Sequence, residues 1–331
     1  MLKKISLCCV MLFGLGLSAC GLQPSTSTVP AMTEGSIKPV ANAHDESITI
    51  TSKNFTEQIV LGKIAVLIAK ASGFDVTDMT NVPGSQPSRN LMVSGQADLA
   101  FEYTGTAWLA YLGHEDGIPD KQKQWQAVHD ADLANGLTWG QPAPLNNTYA
   151  FAVRPEFAKQ HNISKLSDIA SVPVEERTMC VESEFNSRVD GLNPMLKLYG
   201  IPRGTPDGVP EGNISLMDTG TVYQATADGS CNFGEVFTTD GRIQSLNLVI
   251  LEDDQHFFPA YNAAPVFNTE FLNKHPELAE RFAQVTPLLD DDTMRSLNLK
   301  VDVEGADPGQ VAYDWMVEKG FIGKENQGGK A

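Results

Sequence analysis

The amino-acid pattern predicts an α/β protein built as two doubly wound lobes. Between residues 48 and 103, short apolar runs alternate with stretches of helical spacing in a β-α-β-α-β order, which makes a mainly parallel sheet covered by helices. The run from Ser94 to Thr106 (SGQADLAFEYTGT) then recurs 134 positions later: Gly95 falls on Gly229, Asp98 on Asn232, Leu99 on Phe233, Tyr103 on Phe237 and Thr104 on Thr238. A chain of 331 residues is long enough for two such units, each with its own core. Ligands of open α/β sheets bind where parallel strands end. If the two lobes aim their strand ends at each other, Tyr103 and Phe237 face one cleft from opposite sides.

The chain begins with a leader. Lys3 and Lys4 precede an apolar run from Ile5 to Leu17, and Leu17-Ser18-Ala19-Cys20 follows. A positive start, a short apolar stretch and small residues before the cut make residues 1–19 a signal peptide, too short for a comfortable membrane span. The cysteine resembles that of a bacterial lipobox, so Cys20 is expected to become the lipidated first residue of the mature chain. Residues 20–46 are rich in Ser, Thr, Pro and Ala, show no hydrophobic period, and read as a flexible tether.

From there the elements come in order. Ile48–Thr51 reads as a strand, and Ser52 or Thr56 is a candidate cap for a helix running to Gly73. A strand near 75–80, a helix over 86–94 and the strand ending at Tyr103 complete the first unit. Helical stretches follow near 106–112 and 121–135. The alternating run Asn147 to Arg154 is placed as the crossing into lobe two, which carries strands at 178–182, 213–217, 231–237 and 246–251 with helices between. Phe257-Phe258-Pro259-Ala260-Tyr261 is the expected return, and helices over 269–285, 289–297 and 308–319 close the chain before a disordered tail from Gly323. Lobe one is therefore expected to take residues 47–147 and 258–331, and lobe two residues 148–257.

The formal charge is −17, and loss of the leader, with two lysines and no acid, makes it −19. That argues against nucleic acid as a partner. The six histidines lack the i, i+4 pairing of a zinc site, and no glycine-rich phosphate loop with its lysine is present, so neither an enzyme nor a cofactor or metal is expected. Asp290-Asp291-Asp292 lacks the calcium-loop ligand pattern and reads as a helix start. Cys180 and Cys231 remain in the mature chain besides Cys20. Both precede strand-like runs, and in an oxidising compartment they either form a disulfide or stay as buried thiols.

Several runs together resemble the substrate-binding proteins of bacterial osmoprotectant ABC transporters, which take glycine betaine, choline, carnitine and related quaternary amines. They are Ser52–Gln58 (SKNFTEQ), Glu102–Thr106 (EYTGT), Asn146–Ala150 (NNTYA), Ser187–Leu192 (SRVDGL) and Thr239–Ile243 (TDGRI), in the family's order from about residue 48 to 265. The resemblance implies a type II periplasmic-binding fold, two α/β lobes joined by two crossovers, with hinges near 145–149 and 257–261. It implies an aromatic cage of Tyr103, Tyr149, Tyr223 and Phe237, the last a departure because tyrosine is frequent there. For Tyr223 core packing is the alternative. Lys53, Thr106 and Arg188 are the implied partners of a solute carboxylate, with a plain surface position for Lys53 and pairing of Arg188 to Glu184 or Asp190 the alternatives. Partners would be a small quaternary-ammonium ligand, the permease subunits of an importer, and a membrane reached through the lipid anchor, with the protein itself a monomer in the cell envelope. A rival reading keeps the fold but gives it another solute, such as an amino acid, and no import role.

Overall fold

The computed structural model describes residues 27–324. The leader, Cys20 and the first residues of the expected tether lie outside them. Among the described residues twelve strands form three sheets: β1 (Met32–Glu34), β2 (Ser47–Lys53), β3 (Asp75–Val82), β4 (Leu99–Tyr103), β5 (Leu137–Trp139), β6 (Tyr149–Val153), β7 (Met179–Glu182), β8 (Ile214–Met217), β9 (Phe233–Phe237), β10 (Val249–Leu251), β11 (Ala263–Asn268) and β12 (Ile322–Lys324). One five-stranded sheet has the order β3-β2-β4-β11-β5, and the other, read from its matching edge, β8-β7-β9-β6-β10. The two orders correspond strand for strand. In each, the first three strands are parallel and the fourth runs antiparallel against the third. That fourth strand is in each case the one the chain lays down just after crossing from the other lobe. This is the type II periplasmic-binding architecture.

Helix α1 (Thr56–Ala71) shows why lobe one is stable. Twelve of its residues are buried, nearly all round its circumference, as expected of a helix enclosed on all sides. It lies on β2 and β3 and beneath the helices Asp291–Asp302 and Pro308–Glu318. Its first turn is not capped by Ser52 or Thr56: Phe55 is the N-cap residue, and the Thr56 hydroxyl instead donates to Asp302 at 2.6 Å. A shorter helix, α2 (Ser85–Val93), follows β3 after Gly84, whose φ of 90° demands glycine. Lobe two has a separate core around Phe151, Val181, Phe185, Leu196 and Phe233. Cys180 on β7 and Cys231 just before β9 are joined by a disulfide.

Several elements differ from expectation for physical reasons. The described part of the tether is packed: β1 pairs with β12, Ile37, Val40 and Ala43 are buried against lobe one, and Lys63 donates to the Ser27 carbonyl and to Asp78, each at 2.6 Å. Three apolar residues, each three from the next, are too short a run to establish a period, and tertiary contact buries them. The same pairing places Gly323 and Lys324 in a strand. The expected helix over 269–285 is broken into Thr269–Lys274 and Glu277–Val285 around Pro276. The strand expected from 246 begins only at Val249, because Asn247 takes a left-handed turn (φ 53°) after a one-turn helix. β5 was not anticipated. At the Asp triplet, Asp290 caps the helix Asp291–Asp302 by accepting from the Thr293 N–H.

The two crossovers lie side by side. Asn146 bridges to Asn262, the Tyr261 N–H donates to Asn146 Oδ1 at 2.7 Å, and the Asn262 amide donates to the Leu145 carbonyl at 2.9 Å. A change in one crossing strand is thereby passed to the other.

Candidate functional site

Strand ends from both lobes converge on one cavity of about 540 Å³, its open mouth included. Lys53 ends β2, Tyr103 ends β4, Glu182 ends β7, Phe237 ends β9 and Tyr149 opens β6; all five line it. Parallel strands put their carboxyl ends on one side of each sheet, and the crossovers turn the two sides face to face.

The rings form a continuous series around the cavity. Phe55 stands between Tyr103 and Phe237, with centroids 6.1 and 5.2 Å away; Tyr149 lies 5.4 Å from Phe237 and meets Tyr261 edge-on at 5.5 Å. Of the four sequence-predicted rings, Tyr103, Tyr149 and Phe237 are brought together here. Tyr223 is not. It is 1% exposed in a small core with Ala150, Ala152 and Val236, its hydroxyl accepts the Phe237 N–H at 2.9 Å, and its face is covered by the Arg242 guanidinium at 4.4 Å. On the helix Thr219–Ala227 it points back into lobe two, so it supports Phe237 rather than lining the cavity.

Two rings escaped the sequence reading. Phe55 sits two residues beyond Lys53 at a strand exit, and Tyr261 sits in the return crossover, both places where an aromatic reads as core or hinge. Position after a predicted strand end was the available signal. Gly105 makes room for Tyr261: a Cβ there would lie 2.7 Å from its ring and 2.8 Å from the Ala260 carbonyl.

The ring hydroxyls are held from behind. Tyr103 donates to Glu57 Oε1 at 2.7 Å, and Tyr261 to Asp190 Oδ2 at 2.6 Å. Glu57 is buried and also receives Asn147, Thr239 and Asn298, so one carboxylate ties lobe one, the first crossover and lobe two. Burial pushes its carboxyl above the usual range in spite of these hydrogen bonds. Burial likewise holds the phenols of Tyr103 and Tyr149 well above their ordinary value, so both stay neutral.

The expected carboxylate partners also reach this cavity. Thr106 lines it from the turn after β4. Lys53, 4% exposed, pairs with Glu102 at 2.6 Å and lies 5.0 Å from the Tyr103 ring centre. Arg188 binds both oxygens of Asp190 at 2.7 and 2.6 Å, reaches Glu184 at 3.2 Å, and lies 5.5 Å from the Tyr149 ring. Both cations are thus already paired within the protein. No group of three or more metal-ligating side chains occurs among the described residues, and no described helix is long and apolar enough to cross a membrane.

A family model described as the substrate-binding domain of ABC-type glycine betaine transport systems matches residues 46–318. The chain is 38% identical over 297 residues to a glycine-betaine-binding protein of Pseudomonas aeruginosa, covering 87% of this chain and 93% of that one. It is 30% identical over 295 residues to the carnitine transport binding protein OpuCC of Listeria monocytogenes, covering 88% and 92%. Among solved structures, one titled glycine betaine/carnitine/choline ABC transporter aligns with a TM-score of 0.67 at 27% identity, over 83% of this chain and 99% of that one.

Proposed function

The chain belongs to the family of substrate-binding domains of ABC-type glycine betaine transport systems, and from that premise we propose that its cleft captures a quaternary-ammonium osmoprotectant in the ring cage. The family consists of extracytoplasmic solute-binding proteins of importers, not enzymes. The observation that carries the ligand reading is the ring series Tyr103, Phe55, Phe237, Tyr149 and Tyr261, drawn from both lobes and both crossovers around one cavity.

A fully methylated ammonium has no N–H to donate, so hydrogen bonds cannot hold its head. Electron-rich ring faces can, at roughly 1–2 kcal/mol for each desolvated contact. Neutral phenols hydrogen-bonded to carboxylates, as Tyr103 is to Glu57, keep their faces electron-rich and fixed in place. Lys53, Thr106 and Arg188 serve the solute's polar end. Because the rings come from opposite walls, the full cage exists only with the lobes together, and ligand binding stabilises that arrangement with the paired crossovers absorbing the rotation. The lobes are taken as residues 47–147 with 258–331, and 148–257. The closed form is what a permease would receive. Cys20 is the proposed lipid attachment, placing a monomeric receptor at the membrane.

Calorimetric titration with glycine betaine, choline, carnitine and a panel of amino acids tests this reading. Saturable binding of a quaternary amine is expected, weakened by about tenfold or more in Tyr103→Ala and in Tyr149→Ala. Tight binding of an amino acid with no response to any quaternary amine would replace it with the rival solute.

A further inference from the structure

Glu184 lies on the short helix Ser183–Ser187 of lobe two and projects into the mouth of the cleft. Its Oε2 accepts the Ser85 N–H, at the start of α2 in lobe one, at 3.1 Å, while its Oε1 accepts from Arg188 at 3.2 Å. Burial opposes its ionisation, but the charge of Lys53, the hydrogen bonds from Ser85 and the nearby Arg188 outweigh burial and hold its carboxyl below the usual range. It is therefore an anion, standing among the two cations and a helix start that a solute carboxylate would need.

Each of those cations also has a carboxylate partner of its own. Lys53 is bound to Glu102 and Arg188 to Asp190. Glu182, on the lobe-two wall, brings the local set to two cations against four carboxylates. A methylated ammonium gains from such a field. A solute carboxylate gains less: at the Ser85 N–H and Arg188 it must either displace Glu184 or lie against it, and like charges side by side are costly.

We propose that Glu184 determines charge selectivity in this cleft, supplying from within the protein the anion that would otherwise come from the solute, so that a quaternary amine with a neutral hydroxyl tail binds in preference to a zwitterion. The inference rests on the ring-cage reading and adds to it which kind of quaternary amine is favoured. Glu184 has the freedom the role requires, since its side chain is 31% exposed and its loss opens no core.

The test is calorimetric titration of the purified protein, as wild type, Glu184→Gln and Glu184→Ala, with choline and with glycine betaine at one ionic strength. Wild type is expected to bind choline more tightly. In Glu184→Gln glycine betaine should gain and choline lose, moving the ratio of their affinities by on the order of tenfold. Glu184→Ala, whose folding is checked by its melting transition, should move it the same way. If both ligands bind and the ratio stays within about twofold in both variants, or both ligands weaken together, Glu184 does not select and the cage reading stands. If wild type binds neither choline nor glycine betaine, this inference falls, and if it binds no carnitine either, the cage reading falls with it.

Discussion

Lys53 in one lobe and Glu182 in the other occupy the same place in the fold and carry opposite charge. Thr51 on β2 is paired with Ala100 on β4, and Cys180 on β7 with Gly234 on β9; Ala100 and Gly234 are the residues related by the 134-residue repeat. Two steps further along their strands come Lys53 and Glu182. In lobe one the lysine is answered by Glu102 on the neighbouring strand, where lobe two has Val236. In lobe two the glutamate has no such strand partner. It turns instead to the helix ahead of it, accepting the N–H groups of Glu184 and Phe185 at 2.8 and 3.0 Å. The fold repeats positions without repeating chemistry, so at this pair of strand ends lobe one carries a buried cation and lobe two an acid, although Arg188 also reaches the cleft from lobe two.

The sharpest way to break this comparison is to remove the charge at the two equivalent positions. Lys53→Met leaves Glu102 buried and only partly compensated by Tyr111 and the Tyr103 N–H. A loss of about 3 kcal/mol in urea denaturation is expected, as for other broken buried pairs. Glu182→Gln keeps an acceptor for the helix start and should cost under about 1 kcal/mol. Equal losses would mean the two positions are energetically alike and the asymmetry only formal.

A second contrast lies one strand over. Glu235 in lobe two is the counterpart of Phe101 in lobe one, and burial together with the adjacent Glu182 pushes its carboxyl up to about 8. The folded protein thus holds a proton there that the unfolded chain, with an ordinary carboxyl, gives up. This effect is absent below the ordinary carboxylate range; stability falls as pH rises from there towards 8 and then levels. Glu235→Gln should remove that fall, gaining roughly 2 kcal/mol or more on wild type between pH 5 and pH 8, at about 1.4 kcal/mol per pH unit. Parallel pH profiles for the two proteins would show Glu235 to be charged when folded.

The smallest effect is expected where the lobes are most alike. Phe237→Tyr makes the lobe-two ring match Tyr103. The ring face against Phe55 and Tyr149 is unchanged. Affinity for the proposed ligand, read by calorimetry, should move by less than about 1 kcal/mol. A large gain would show that the missing hydroxyl, and not the ring, limits that wall.

How much of this was legible in the sequence follows from the range of each signal. The β-α-β order, the repeat linking Tyr103 with Phe237 and the place of the crossings are local patterns, and they led to the two sheets. Phe55 and Tyr261 were passed over as cage rings because an aromatic at a strand exit or in a crossover looks the same whether it faces a cleft or a core. Tyr223 erred the other way: an aromatic at a helix start reads the same whether it faces the cleft or the lobe's own core, and its burial and its bond to the Phe237 N–H show that it faces the core. The packing of residues 27–46 was hidden because Ile37 and Val40 acquire their burial from α1 and the C-terminal helices, far away in the chain.

By itself the sequence determined the lobes, the strand ends that meet at the cleft and the kinds of side chain found there, because hydrophobic period and turn residues act over a few neighbours. The tertiary structure alone decided which rings join the series around the cavity, that both cations are already held by carboxylates, and that Glu184 reaches across to Ser85. Those outcomes depend on how two crossovers orient one sheet against the other, and that angle is set by the packing of segments more than a hundred residues apart.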